Sequence, residues 1–424
     1  MASETVSDSI DLGISLISLT ALPGSMAQKK ILYIQYSNPA AYPPLERSSR
    51  MLADAGWQVV FLSAGTMGDA DGLRFSPHPG VTVRQLPFCW RGWRSRPGWQ
   101  QKVHYISYAA WVLAWGLFWR PDWVYASDLL ACPVALPYSL LSRRRVLYHE
   151  HDFPGDATGG LLGRIYYSAR RRLARRANVC VLPNLERARR FTQETGGDRN
   201  AFCVWNCPGM DEVGPERATT PPARLRLIYL GSIVPDRLPM DILHALAQLP
   251  AAVTLTVAGY ETVGYPEYMM RFLEAADELG VAARVEYVGA LPHRQGLDLC
   301  SECDVGLSLM PLHSHDLNMA AMVGASNKPF EYLACGLALL VTDLPDWRAL
   351  YVDAGCGLSC DPSDASSIAA VLRWFLDHPG ETRLMGETGR ARILQDWNYE
   401  RQFTPVLTAL ESTAGTRRER GCQC

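Results

Sequence analysis

Along most of the chain, short apolar runs rich in β-branched and aromatic residues alternate with stretches whose apolar positions recur at helical spacing. In the first half the runs are ILYIQY (31–36), WQVVFLS (57–63), VTVRQL (81–86), DWVYAS (122–127), RVLYH (145–149), NVCVL (178–182) and FCVWN (202–206). Runs this continuous, separated by helical segments, predict a parallel sheet covered on both faces. The texture then changes: CPGMDEVGPERATTPPAR (207–224) is rich in Pro, Gly, Thr and charge and has no hydrophobic period, which predicts a linker. A second alternation follows, with strands predicted at LRLIYLG (225–231), VTLTVAG (253–259), RVEYVG (284–289), CDVGLSLM (303–310) and LALLVTD (337–343). From residue 364 the pattern is purely helical, and WNYERQFTPVLTAL (397–410) is placed to cross back onto the first half.

The fold class expected is α/β, with two Rossmann-like domains whose parallel sheets face a common cleft. The predicted boundaries are a disordered extension at 1–28, a first domain at 29–206, the linker at 207–224, a second domain at 225–395, a returning helix at 396–412 and a disordered tail at 413–424. In sheets of this kind ligands sit beyond the carboxyl ends of the strands. The informative residues are therefore those that directly follow strands.

Composition narrows the class. Of 424 residues, 48% are apolar and 20% charged, and the net charge is -2, the profile of a globular protein rather than one that coats nucleic acid. The twelve cysteines are scattered, mostly inside apolar runs such as NVCVL and LACGLALLV, which suits a reducing cytoplasm. Cys300 and Cys303 form one CxxC without a second ligand pair at zinc spacing, so no structural metal is expected there. The opening LGISLISLTALPGSMAQ imitates a signal peptide, but the segment before it, SETVSDSID, is acidic where export needs basic residues. VHYISYAAWVLAWGLFW (103–119) is the longest apolar run and lies at the lower limit for a membrane span. It leads directly into a strand, so a buried helix between two strands is expected.

Four segments carry chemistry. YLGSIVPDRLPMDILHAL (229–246) passes from a strand through Gly231 and Ser232 into a helix with Arg237 at its start, where a guanidinium and free N–H groups can meet a phosphate. MVGASNKPFEYLACG (322–336) repeats that logic. Gly324, Ala325, Ser326 and Asn327 keep backbone N–H groups accessible, Lys328 adds one of only four lysines in the chain, Pro329 fixes the helix start, and Glu331 lies on the first turn. Together these fit a diphosphate and a pair of ribose hydroxyls; the plain alternative is an exposed Lys328–Glu331 ion pair. VLYHEHDFPG (146–155) ends a strand with His149, Glu150, His151 and Asp152, which also has metal-ligand chemistry. Finally, CWRGWRSRPGWQQ (89–101) gathers Trp90, Trp93 and Trp99 with three arginines and suits stacking on a sugar or a flat aglycone.

In this order, a His-Asp after a mid-domain strand, GSIVPDR, SNKPFEYLACG and a closing aromatic helix, the chain resembles the family 4 glycosyltransferases of the group 1 type over residues 30 to 410. The resemblance implies a GT-B fold and a retaining, metal-independent transferase with no cofactor beyond its nucleotide-sugar co-substrate, UDP-sugar first and GDP-sugar next. Its acceptor would be a hydroxyl of a glycan, a lipid-linked sugar or a natural product. It also implies an acceptor-binding first domain and a donor-binding second domain. The catalytic residues implied are His151, Arg237 and Lys328; the donor-binding set is Gly231, Ser232, Arg237, Gly324, Ser326, Asn327, Lys328 and Glu331. Gly289 and Leu291 would form the nucleobase loop, with Asn38, Tyr42, Trp93, Trp99 and Asp152 on the acceptor side.

Three departures stand out. Ser232 occupies the place where the family commonly has Arg, and Val323 the place of the first of two glutamates, so neighbours such as Gly324, Ser326 and Asn327 must contact the sugar ring. The glycine-rich loop after the first strand is replaced by SNPAAYPPLE (37–46).

Other readings compete. A metal-dependent hydrolase could use His149, His151 and Asp152, although its usual barrel fits poorly with two sheets. A single-domain transferase could use DAD (69–71) for a divalent cation. A non-catalytic protein of polysaccharide assembly could use RIYYSARRRLARRA (164–177), whose arginines suit anionic headgroups, so peripheral contact with the inner face of a membrane remains an expectation; no nucleic-acid partner is expected.

Overall fold

The computed structural model describes residues 28–64, 72–86, 98–141, 144–155, 160–197, 201–217, 224–262 and 264–415. The predicted N-terminal extension apart from residue 28, DAD 69–71, Trp90, Trp93, linker residues 218–223 and residues 416–424 of the predicted tail lie outside them.

The first half runs β1 (Lys30–Ile34), α1 (Pro43–Asp54), β2 (Gln58–Ser63), β3 (Val81–Gln85), α2 (Gly98–Trp119), β4 (Trp123–Ser127), α3 (Asp128–Leu140), β5 (Arg145–His149), α4 (Gly160–Arg176), β6 (Val179–Leu182), α5 (Leu185–Thr195) and β7 (Ala201–Cys203). These strands form one sheet in the order β3-β2-β1-β4-β5-β6-β7, every neighbour parallel. The second half runs β8 (Leu225–Ile233), α6 (Asp241–Ala247), β9 (Val253–Glu261), α7 (Tyr268–Glu278), β10 (Val285–Gly289), α8 (His293–Ser301), β11 (Val305–Ser308), α9 (Leu317–Ala320), α10 (Asn327–Ala334), β12 (Ala338–Thr342), α11 (Pro345–Trp347), β13 (Gly357–Cys360), α12 (Ala365–Asp377), α13 (Pro379–Gln395) and α14 (Tyr399–Gly415). Its sheet is also parallel, in the order β10-β9-β8-β11-β12-β13. Strand order reverses beside β1 and beside β8, the two points where such sheets open a crevice. The α/β class and the paired parallel sheets are therefore as the pattern predicts, while β13 is an addition: GLSC is too short and too polar to announce itself.

The central strands of each sheet are buried on both faces, as the continuous apolar runs require, while the edge strands β3 and β10 are largely exposed. On one face of the first sheet, Tyr108 and Val112 of α2, Val134 and Tyr138 of α3 and Leu173 of α4 cover Leu32, Ile34, Val124 and Val146. On the other, Leu45 and Leu52 of α1 join Tyr399, Phe403, Val406 and Leu410 of α14 over Ile31, Tyr33, Val59 and Tyr125. The last helix therefore covers the first sheet although it follows the second in sequence. The 103–119 segment forms the helix expected between β3 and β4, but only His104, Tyr108, Val112 and Gly116 are buried, so the expectation of a buried helix holds for one face alone.

The turn after β5 is anchored by charge. Glu150 receives two hydrogen bonds from Arg170 of α4, at 2.6 and 2.7 Å, and one from the Tyr148 hydroxyl at 2.5 Å, with both charged side chains almost fully buried. Bidentate geometry of this kind holds the strand end against α4. Removing one member of a buried pair leaves the other charge unsolvated, at a cost of about 3 to 5 kcal/mol. We expect Glu150→Ala to lose stability in that range by urea unfolding, and the paired Glu150→Leu/Arg170→Met variant to lose less. A single variant within 1 kcal/mol of wild type would contradict the assignment.

Candidate functional site

Two cations meet where β8 ends and α10 begins. Gly231 has φ +119, and a Cβ there would lie 2.9 Å from Lys328 Cε, so this backbone is glycine's both for its conformation and for the space it leaves the lysine. Lys328 Nζ donates to the Tyr229 hydroxyl at 3.2 Å and lies 4.7 Å from the centre of that ring. Arg237 donates through Nη1 to Ser232 Oγ at 3.2 Å and through Nη2 to Met319 Sδ at 3.3 Å, while its Nε is buried without a partner. Burial pushes the Lys328 ammonium well below its usual range, Arg237 pushes the same way, and Glu331 opposes both. Ser326 caps α10 without a side-chain bond to it, and Asn327 Oδ1 is buried and unpartnered. The end of β8 and the start of α10 thus gather positive charge and open hydrogen-bonding capacity with little negative charge to match.

Glu331, one turn into α10, is not paired with Lys328. Its Oε1 accepts from Arg47 Nη2 at 3.1 Å and from His293 Nε2 at 3.0 Å, and Arg47 Nε also donates to Glu212 at 2.8 Å. Burial would raise the Glu331 carboxyl, but His293 and Arg47 outweigh it and hold it down at about 2. Both bonds go to Oε1; Oε2 accepts none from a described residue. The exposed Lys328–Glu331 pair considered above is therefore replaced by a buried contact between domains. Sequence reading missed Arg47 and His293. Nothing local separates Arg47 from Arg50 on the same helix.

On the first-domain side, His151 follows β5. Its backbone N–H donates to Asp128 at 2.8 Å and its carbonyl accepts from Arg187 at 2.6 Å, while both ring nitrogens are buried without a partner. The ring lies 3.7 Å from that of His149 and 5.6 Å from that of Tyr42, centre to centre. Burial, followed by Arg187, lowers its pKa to about 3, so the imidazole is neutral. His149 hydrogen-bonds Tyr125, Glu150 belongs to Arg170, and Asp152 is exposed, with Arg187 3.6 Å away. Among the described residues no group of three or more His, Cys, Asp or Glu is placed to hold a metal ion.

The remaining predicted positions divide. Beside them lies Tyr260 of β9, which sequence reading did not single out; burial raises its pKa, Arg237 lowers it and Asp152 raises it. Gly289 ends β10 at φ +76, and Leu291 beyond it is half-buried, two residues before His293. Gly324, at φ +77, packs against the first domain, since a Cβ there would lie 2.7 Å from Trp205. Asn38 spends its side chain on local structure, accepting from Ala40 and donating to Leu73. Trp99 lies exposed at the start of α2. Arg187, also missed from sequence, donates to Ala321 and Asn318 of the second domain as well as to His151, and so ties the two halves together.

Comparison with known proteins identifies the family and the fold. Residues 45–208 match the family described as glycosyl transferase 4-like domain, and residues 239–408 the family described as glycosyl transferase-like. Glycogen synthase of Mycobacterium tuberculosis is 24% identical over 314 residues, 71% of each chain. Among solved structures, HepE of Anabaena in complex with UDP and glucose superposes with a TM-score of 0.66 at 16% identity, covering 91% of this chain and all of that one. Sucrose-phosphate synthase of Thermosynechococcus elongatus gives 0.65 at 15% identity, covering 93% and 100%. WaaG, a glycosyltransferase of lipopolysaccharide biosynthesis, gives 0.61 at 16%, covering 88% and 98%.

The Glu331 contact titrates at both ends. Glu331 and Glu212 raise the pKa of His293 against burial and Arg47, so the stability it contributes is complete below the ordinary imidazole value of 6.5 and is lost as pH rises through the elevated one. For Glu331 the contribution is complete above 4.5 and is lost as pH falls towards about 2. The stability gap between wild type and His293→Gln should therefore be wider at pH 5.5 than at pH 8.5 in urea unfolding. An equal gap at both would rule out the charged contact.

Proposed function

The chain is a GT-B glycosyltransferase of the group 1, family 4 type, and on that premise we propose that it transfers a hexosyl or N-acetylhexosaminyl group from a UDP-sugar to an acceptor hydroxyl with retention of configuration. GDP-sugars are the next donor class. The acceptor is a glycan, a lipid-linked sugar or a natural product reached in the cytoplasm. One observation carries the reading: Arg237 and the buried Lys328 stand together at the end of β8 and the start of α10, and neither is ion-paired with a carboxylate among the described residues. A diphosphate supplies the missing charge. The structures of HepE with UDP, with UDP and glucose and with UDP-glucose support a uridine donor.

Each residue then has a defined task. The bond from the anomeric carbon to the diphosphate oxygen breaks, and its electron pair stays on the phosphate. Arg237, Lys328 and the N-terminus of α10 stabilise that growing charge. The acceptor oxygen bonds to the anomeric carbon on the face the phosphate leaves, and its proton passes to the phosphate. Glu331 Oε2 accepts from the ribose hydroxyls, while Oε1 keeps its bonds to Arg47 and His293. His151, neutral and with both nitrogens unpartnered, hydrogen-bonds the sugar rather than acting as a base. With two side-chain cations in place, the reaction needs no metal ion.

Lys328→Ala should lose about 2 to 4 kcal/mol of transition-state stabilisation in turnover, the range for one such donor. Transfer should persist in EDTA, and the product should carry the donor's anomeric configuration by NMR. A strict magnesium or manganese requirement, an inverted product, or near-normal turnover of Lys328→Ala would overturn the reading.

A further inference from the structure

Helix α2 has an outer face that no described residue covers. Its inner face is fixed: His104, Tyr108, Val112 and Gly116 are buried, and the Tyr138 hydroxyl of α3 donates to the Val112 carbonyl. The outer face carries Val103, Ile106 at 65% exposure, Ala110, Leu117 at 65% and Phe118 at 84%, and Lys102 is the helix's single charged residue. A helix that is apolar all round normally lies inside a core or against a bilayer. This one is half outside, and its exposed stripe from Val103 to Phe118 is about 22 Å long at 1.5 Å per residue. Surfaces of that kind mark interaction sites.

Helix α4 extends the surface and supplies its charge. Tyr105 of α2 meets Tyr166 of α4 edge to face, with ring centres 5.3 Å apart. Beside that contact Leu161 and Ile165 are exposed, and the same helix exposes Arg164, Arg171, Arg172, Arg175 and Arg176. Leu140 and Leu141, at the end of α3, are exposed on the same side of the sheet. Neither α2 nor α4 contains an Asp or Glu, although the whole chain has 43 acidic residues.

We infer that the outward faces of α2 and α4 dock this protein on an anionic lipid bilayer, with the apolar stripe at the level of the headgroup boundary and the arginines on the lipid phosphates. Among the described residues no helix is long and apolar enough to cross a membrane, and the buried inner face of α2 keeps it on the sheet, so the contact is interfacial. The charge decides between a bilayer and a second copy. A two-fold interface built on this face would bring one set of arginines close to another, whereas an anionic surface complements every one of them. Both helices follow strands of the first sheet, α2 after β3 and α4 after β5, and His151 stands just past the carboxyl end of β5, so their first turns lie at that end of the sheet. Docking on this face holds the mouth of the cleft near the lipid surface.

Flotation with vesicles tests the inference, using phosphatidylcholine alone and phosphatidylcholine with 30% phosphatidylglycerol. Wild type should float with the anionic vesicles at least tenfold more than with the neutral ones, and 0.5 M NaCl should reduce it. Ile106→Glu/Phe118→Glu and Arg172→Glu/Arg175→Glu should each lose most of the bound fraction. These positions are solvent-exposed and away from the donor residues, so UDP-sugar hydrolysis in solution should match wild type; this also separates a failure here from a failure of the transferase reading. Equal flotation of wild type and both variants, no flotation of wild type, or a lipid-free dimer dispersed by Ile106→Glu/Phe118→Glu would overturn the inference.

Discussion

A buried lysine with no ion-paired carboxylate among the described residues is the constraint on which the end of β8 and the start of α10 depend. Lys328 is out of water, it faces Arg237, and the nearest carboxylate is committed elsewhere. An unpaired buried charge is costly, and the fold lowers that cost only in part through the Tyr229 hydroxyl and the face of its ring. Gly231 yields the space the lysine needs, and Pro329 and the small residues before it set the start of α10 beside the end of β8. What remains is a site whose stability rises when a compact, doubly charged ligand arrives. Such preorganisation is useful in catalysis because charge that develops on a leaving group meets dipoles that no longer have to turn.

The same economy of charge joins the two domains. Glu331 shares its Oε1 between Arg47 of the first domain and His293 of the second, and Arg187 spreads its donors over His151, Asn318 and Ala321. The two domains therefore have their positions set by the same few arginines. A change in the charge of Glu331 or His293 reaches α1, and through α1 the loop that carries Tyr42.

Much of this was legible in the amino-acid order because it depends on near neighbours. Strands buried on both faces read as continuous apolar runs, and Lys328 stands out as a rare lysine between small residues, a proline and a glutamate. The ties between domains were not legible, because their partners are remote. Arg47 and Glu331 are 284 positions apart, Arg187 and Ala321 are 134 apart, and no local pattern marks which of the thirty-seven arginines are buried. Periodicity also failed on α2, since a helix that is apolar all round gives the same signal whether its second face meets protein or something else.

Calorimetry with UDP and with uridine reaches the central claim most directly, because the two ligands differ only in the diphosphate. The account predicts that wild type binds UDP at least tenfold more tightly than uridine without added metal, and that Lys328→Met loses most of that difference while its uridine affinity is unchanged. A Lys328→Met protein that still prefers UDP over uridine by the wild-type ratio would contradict it.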